Sequence, residues 1–359
     1  MAKPSTVFIS YTLSTLCYNR HMKIADVGEF GLLARIIDTI NKQSDKESPW
    51  LKRLTLGAGD DAAAWKASNI IQLATTDIMV EGIHFNLAYT GWYDLGWKAI
   101  AANISDIAAM GGIPMYALVS LAVPGNIETR KITDLYEGMI TLSNKYHVII
   151  VGGNISKADK VIINTTLIGK AMGHKLLSRS AAKPDDSIAV TGYPGLAATG
   201  YKALTGNLDI QGRLRKTLLN AHLRPVPRVN EAQVLLCEGI KTAIDISDGL
   251  IADLKHICEA SGVSAAIYEP ELPLHPALKK YLPQDYFNVI LTGGEDYELI
   301  FTANRDKISY IQNKFTCPVT VIGKILPRKS EFVTIFNSHG KPVNIPNVGW
   351  DHYRTQSWI

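Results

Sequence analysis

The sequence predicts an α+β protein built from two domains, and three observations carry this. The chain has 359 residues, enough for two domains of ordinary size. Candidate strands and helices mix along it without the strict period of a parallel βαβ array. A polar stretch, Gly173–Asp186, ends in a turn signal and separates two strand-rich halves. The expected division is therefore 1–21 as an extension, 22–172 as the first domain and 173–359 as the second.

Composition narrows the class. Apolar residues make up 47% and charged residues 19%, an ordinary globular balance. The formal charge of +4 is small and no dense Lys/Arg block occurs, which argues against nucleic acid or a membrane surface as partner. No apolar run reaches the ~20 residues that span a bilayer. Cys17, Cys237, Cys258 and Cys317 have no metal-ligand spacing and read as reduced thiols of a cytosolic protein. Val7–Cys17 is apolar but too short to span, and it lacks the basic leader and cleavage site of a signal peptide. Met22 opens sequence of globular character, so residues 1–21 are read as a loose extension or a mis-assigned start.

The elements follow in order. Glu29–Ile40 has the apolar spacing of an amphipathic helix, and Gln43–Pro49 is polar and loop-like. In GAGDDAAAW, Gly57–Trp65, glycines flank the acids Asp60 and Asp61, and a strand is expected to follow. Ile70–Ile78 reads as a strand with Thr75, Thr76 and Asp77 at its end, followed by Gly82-Ile83-His84-Phe85.

Lys98–Pro114 is the anchor helix, with Asp94 as its expected cap and Gly111-Gly112-Ile113-Pro114 as its stop. Ile100, Ile104, Ile107 and Ala108 share an apolar face. Asn103 and Asp106 share another, with Ser105 beside them. Taken alone, those three residues have the pattern of a solvated polar face.

Strands are expected at Met115–Val123, Val148–Val151 and Val161–Ala171, with a helix at Thr129–Tyr146. Gly152-Gly153-Asn154 follows the second of these strands and would let backbone approach a ligand closely.

In the second half, Ser187–Thr191 reads as a strand. The GYPGLAATG after it falls short of a P-loop, because tyrosine stands where lysine must follow the last glycine, so a plain strand-turn-helix is expected. Arg224–Arg228 leads into a helix, with Pro227 near its start. Thr242–Ile246 is a strand that runs through Asp245, Ser247 and Asp248 into the helix Leu250–Ala260. Strands at Val263–Tyr268 and Tyr297–Thr302 flank a second acidic turn, Gly293-Gly294-Glu295-Asp296. A helix at Asp306–Lys314, strands near Val319–Ile322 and Phe332–Phe336, and a tail containing Trp350 complete the chain.

At least five turns or element ends thus carry carboxylates beside glycine, serine or threonine. Oxygen-only groups suit Mg²⁺, Mn²⁺ or Ca²⁺ rather than zinc. An acidic site repels phosphates unless divalent ions intervene, so the residues by themselves point to a metal-dependent enzyme acting on phosphates.

The wording of the clusters goes further. GEFGLLARI, GAGDDAAAW, TTDIMVEGIHF, KAIAANISDIAAMGG, IIVGGNIS, LSRSAAKPDDSIAVTG, AIDISDGLIADL, LTGGEDYEL and GWDHY, in this order from about residue 22 to 353, resemble the thiamine-monophosphate kinase family. That family sits in a wider group with aminoimidazole ribonucleotide synthetase and selenophosphate synthetase.

The resemblance implies an aminoimidazole ribonucleotide synthetase-like fold with an active site between two α+β domains. It implies an N-terminal ATP- and metal-binding sheet that pairs with a second subunit into a dimeric barrel, and a C-terminal α/β sandwich. The implied reaction converts ATP and thiamine monophosphate to ADP and thiamine diphosphate, the last step of thiamine diphosphate biosynthesis, with several Mg²⁺ ions. Asp61, Thr75, Thr76, Asp77, Asp106, Asn154, Asp245 and Asp248 are the implied metal set, with Asp106 and Asp248 as the catalytic pair. Gly153, Asn154, Arg179 and Ser247 are implied ATP contacts, and His84, Glu295, Asp296 and Trp350 substrate contacts.

An arginine forks onto phosphate oxygens, and an indole face suits a cationic ring. Asn154 departs from the family's aspartate and brings no charge. Two alternatives are a sister ATP-dependent synthetase and a non-catalytic binding protein. The sister chemistry would need a reactive cysteine in an N-terminal glycine-rich loop, or one at the C-terminus, where this chain reads Gln356-Ser357-Trp358-Ile359.

Overall fold

The computed structural model describes residues 31, 53–56, 60–67 and 69–343. The extension 1–21, the helix expected at Glu29–Ile40 (apart from Gly31), the loop Gln43–Pro49, Gly57–Gly59 and Trp350 lie outside the described residues.

The first sheet is built from β1 (Leu54–Leu56), β2 (Ala63–Ala67), β3 (Ile70–Val80), β4 (Ile113–Val123), β5 (Ile149–Lys157) and β6 (Ile162–Lys170), with α1 (Trp92–Ala109) before β4 and α2 (Thr129–Lys145) after it. Its strand order is β1-β2-β3-β6-β4-β5. Only the β4/β5 pair is parallel, because a helical crossover, α2, joins those two strands. Period-two alternation sorts β3. Ile71, Leu73 and Met79 are buried on the face that carries Thr75 and Asp77, while Thr76 and Ile78 are exposed on the other.

α1 lies against the buried face. Its small residues let it approach closely, and at the crossing with α2 the contact is backbone to backbone: a Cβ on Gly96 would stand 1.8 Å from the Leu135 carbonyl oxygen. Two expectations need correction here. Gly91, not Asp94, occupies the cap position, and Asp94 sits in the first turn, paired with Arg224 and favourably placed toward the helix dipole. The polar residues of α1 do not form a solvated face, because Asn103 and Ser105 are as buried as Ile104 and Ile107. The helix is packed all round, between the first sheet and the second half of the chain.

The second half opens with β7 (Ser187–Thr191), α3 (Leu196–Leu204), α4 (Gly212–Leu223), α5 (Val229–Cys237), β8 (Thr242–Asp245), α6 (Leu250–Ser261) and β9 (Val263–Tyr268). It continues through α7 (Pro276–Tyr281), α8 (Tyr286–Thr292), β10 (Leu299–Ala303), α9 (Arg305–Ile311), β11 (Val319–Pro327), β12 (Val333–Phe336) and β13 (Pro342–Val343). The strands order as β13-β12-β9-β11-β7-β10-β8 in a largely antiparallel sheet. Alternation along β7 and β10 divides this sheet's core. Ala189 and Phe301 join the core under α1, while Ile188, Val190 and Ile300 face a second core with Leu254 and Ile257 of α6.

α4, α7 and α8 lie where the sequence carried no clear periodic signal. The last predicted strand and helix boundaries move by a few residues, and β11 runs on to Pro327. Gly152-Gly153-Asn154, expected after a strand, lies inside edge strand β5. No helix among the described residues is long and apolar enough to cross a membrane.

Candidate active site

The two sheets meet where α1 touches β8, and acids gather at that junction. Asp61, from the segment before β2, Asp106 of α1 and Asp245 at the end of β8 each place a carboxylate oxygen within 4.8 Å of the others. Asp77 of β3 points to the same side as Thr75, whose Oγ1 donates to Asp106 Oδ2 at 2.5 Å. Ser105 Oγ donates to Asp245 Oδ2 at 2.7 Å. Arg179 forks onto Asp61, with Nε at 3.2 Å and Nη2 at 2.6 Å, and Ser178 Oγ donates to Asp60 at 3.0 Å.

One guanidinium cannot balance this many carboxylates. Burial, then the neighbouring Asp77, Asp245 and Asp61, pushes the Asp106 carboxyl well above the usual range. Burial and Asp61 do the same at Asp245. Burial and Asp61 push Asp60 and Asp77 up to about 6. Crowded, buried, oxygen-only donors with uncompensated negative charge fit a hard divalent cation such as Mg²⁺.

The Ser247-Asp248-Gly249 turn is held by a residue the sequence reading passed over. Asp253 Oδ2 accepts the N–H groups of Ser247, Asp248 and Gly249, each at 3.1 Å. Its signal was a carboxylate in the first turn of α6, where free N–H groups gather. The second acidic turn is zipped onto the first: Glu295 N donates to the Ser247 carbonyl at 2.8 Å and Tyr297 N to that of Ile246 at 2.8 Å. Glu295 and Tyr297 adopt positive φ, 65° and 51°, a conformation held by this pairing.

Glu295 and Asp296 then part company. Glu295 meets Lys98 Nζ at 2.7 Å and His222 Nδ1 at 3.4 Å. Burial raises its carboxyl, but the Lys98 ammonium outweighs burial and holds it below the usual range. His84 also lies within electrostatic reach of Glu295, and its Nδ1 accepts the Val80 N–H at 3.0 Å. Asp296 instead caps α3, accepting from Gly195 N at 2.6 Å and Ala197 N at 2.9 Å. The near-P-loop turn is thus occupied by the protein's own carboxylate where a P-loop would hold phosphate.

Some expected site residues stand elsewhere. Thr76 lies on the sheet face opposite Asp77, and its hydroxyl is 3.0 Å from that of Thr166. Asn154 is in register with Ser120 and Asn164, on that same outer face, and its Oδ1 accepts from Ile155 N. Gly153 is needed by the sheet itself, since a Cβ there would meet the Val119 carbonyl oxygen at 1.8 Å. Asp248 is half-buried beside Asp253 rather than in the central acid group.

Comparison with known proteins assigns the fold and the family. Residues 59–171 match the AIR synthase related protein N-terminal domain and residues 183–336 its C-terminal domain, which makes the architecture the two-domain AIR synthase-like fold. The chain is 38% identical over 308 residues to the thiamine-monophosphate kinase of Bacillus subtilis, covering 83% of this chain and 94% of that one. It is 34% identical over 335 residues to the enzyme of that name from Aquifex aeolicus, covering 92% and 100%. It also resembles the solved structure of AaThiL complexed with AMPPCP and TMP, with a TM-score of 0.79, 32% identity and coverage of 93% and 100%. With relatives this similar over nearly their full length, the chain belongs to the thiamine-monophosphate kinase family.

Proposed function

We propose that the protein transfers the γ-phosphoryl group of ATP directly to thiamine monophosphate, giving thiamine diphosphate and ADP as the last step of thiamine diphosphate biosynthesis. The observation that carries this is the buried acid group at the junction of the two sheets. It has more negative charge than Arg179 can balance, so it suits phosphates only together with divalent cations. Bound Mg²⁺ would supply charge neutralisation between these carboxylates and the phosphates, with Asp61, Asp77, Asp106 and Asp245 as the residues suited to hold it.

The chain's own groups account for the rest. Thr75 and Ser105 fix the carboxylates of Asp106 and Asp245. The Asp253-organised turn offers Ser247 and Asp248 to the nucleotide side. The acceptor is a phosphate monoester whose second pKa is ~6, so it is largely dianionic at neutral pH and needs no strong general base. That favours in-line transfer by positioning, without a covalent enzyme intermediate. Glu295 and His84, with Trp350, form the proposed acceptor side.

Residues 22–172 would form the ATP-binding, metal-binding and dimerisation domain and residues 173–359 the C-terminal domain, in a cytoplasmic homodimer. The apolar side chains of Ile78, Tyr116, Leu118, Ile149 and Val151, exposed on β3, β4 and β5, support a second copy closing a barrel over the first sheet. Incubation with ATP, Mg²⁺ and thiamine monophosphate, followed by chromatography, should give thiamine diphosphate and ADP in equal amounts. ADP formed without thiamine diphosphate would overturn the reading.

A further inference from the structure

Lys98 is unusual among the lysines of the described residues, because it is buried. It stands on α1, eight positions before Asp106, and its side chain is 3% exposed. A buried ammonium is costly unless it is paired, and its partner is Glu295, at 2.7 Å. Glu295 is itself on a turn with φ of 65° and keeps its side chain 35% exposed. His222 of α4 closes the other side, with Nδ1 3.4 Å from the second carboxylate oxygen. Burial and Lys98 push the His222 imidazole down to about 3, so it stands beside the carboxylate as a neutral ring. Tyr201 packs on His222 with ring centroids 5.3 Å apart, and Tyr89 reaches the Tyr201 hydroxyl at 3.5 Å.

We propose that Lys98 is a positioning residue of the acceptor site: from the helix that carries Asp106, it holds Glu295 ionised and fixed in orientation, so that one carboxylate faces a cationic, N–H-donating ring. This rests on the reading that Glu295 contacts thiamine monophosphate. The chemistry fits the pairing. Lys98 and His222 approach the carboxylate from within the protein, which leaves its exposed edge for the ligand. Because Lys98 and Asp106 share one rigid helix, the ring-binding carboxylate and the phosphate-side acids keep a fixed spacing. A ring seated against Glu295 therefore sets where its phosphate falls.

The test measures KM for thiamine monophosphate and for ATP in the full chain carrying Lys98→Met, Glu295→Gln, or both. Lys98→Met is expected to raise KM for thiamine monophosphate about tenfold with KM for ATP within about twofold, because a charge-assisted contact is lost on one substrate only. The double variant should match Glu295→Gln alone, since Lys98 acts through that carboxylate. A Lys98→Met effect equal on both substrates, or absent, or one that adds to that of Glu295→Gln, overturns the proposal while leaving Glu295 as a contact. If Glu295→Gln leaves KM for thiamine monophosphate unchanged, the underlying reading fails and the proposal with it. If Lys98→Met leaves Glu295 uncompensated and does not fold, the charge-neutral double variant carries the comparison: a KM above that of Glu295→Gln overturns the proposal, and an equal KM supports it.

Discussion

Ser105 Oγ donates to Asp245 Oδ2 at 2.7 Å, and this hydrogen bond joins the helix of the first half to the last residue of β8 in the second. Both residues are buried, so the bond ties the halves together at the acid group itself. Ser105→Ala removes the donor and leaves a buried carboxylate short of one partner. It should lower stability by about 1–3 kcal/mol and raise the Mg²⁺ concentration needed for half-maximal turnover. Denaturant unfolding and Mg²⁺ titration check the two effects; a variant unchanged in both would make the contact incidental.

Asp106→Asn separates function from folding by the sign of its effects. The residue sits among like charges, so neutralising it should raise the melting temperature measured in chelator. The same change should cut turnover at least ~10²-fold by removing a charge that metals must balance, and it should shrink the stabilisation gained on adding Mg²⁺. A variant that melts lower in chelator and keeps normal turnover would return Asp106 to a structural role.

Asp296 predicts a pH dependence of stability. Burial pushes its carboxyl up to about 8 in the folded chain, against an ordinary aspartate value of 3.8. The folded state therefore keeps a proton that the unfolded chain has released. Its contribution is fully present below the unfolded pKa and is lost as pH rises through about 8. The slope from this group is at most ~1.4 kcal/mol per pH unit. Asp296→Asn, which keeps one acceptor for α3, should flatten the fall in stability between those limits. Parallel stability curves for the two proteins would contradict the assignment.

The residues that were legible in the sequence are those marked by a turn or an element end, even where their partners are distant in the chain. Asp61, Asp245 and Asp248 each stood within two residues of glycine or serine near the end of an element, and the structure keeps them at such ends. Lys98 and His222 were illegible, since they lie inside helices and acquire meaning only when α1 and α4 fold against Glu295. Burial of Asn103 and Ser105 was hidden for a related reason. A helix packed on both sides has no solvated face, and periodicity cannot report a second covering layer. Gly152-Gly153 read as lying beyond the end of a strand, where backbone could approach a ligand, yet here the missing Cβ of Gly153 makes room for the Val119 carbonyl in the sheet.

Asn154 follows from that placement. Its side chain is on the outer sheet face, away from Asp77 and Asp106. Asn154→Asp should therefore leave the Mg²⁺ dependence of turnover, titrated at saturating MgATP, superimposable on that of the unchanged protein. A shift to lower Mg²⁺ in the aspartate variant would show that this position reaches a metal in the working enzyme.

Direct transfer at the acid group is tested most sharply by the fate of the γ-phosphorus. ATP made chiral at that atom with oxygen isotopes would be turned over with Mg²⁺ and thiamine monophosphate, and the configuration of the terminal phosphate of the product determined. A single in-line displacement, with no phosphorylated enzyme, predicts thiamine diphosphate with inverted configuration. Retention of configuration, or no thiamine diphosphate at all, would contradict the account.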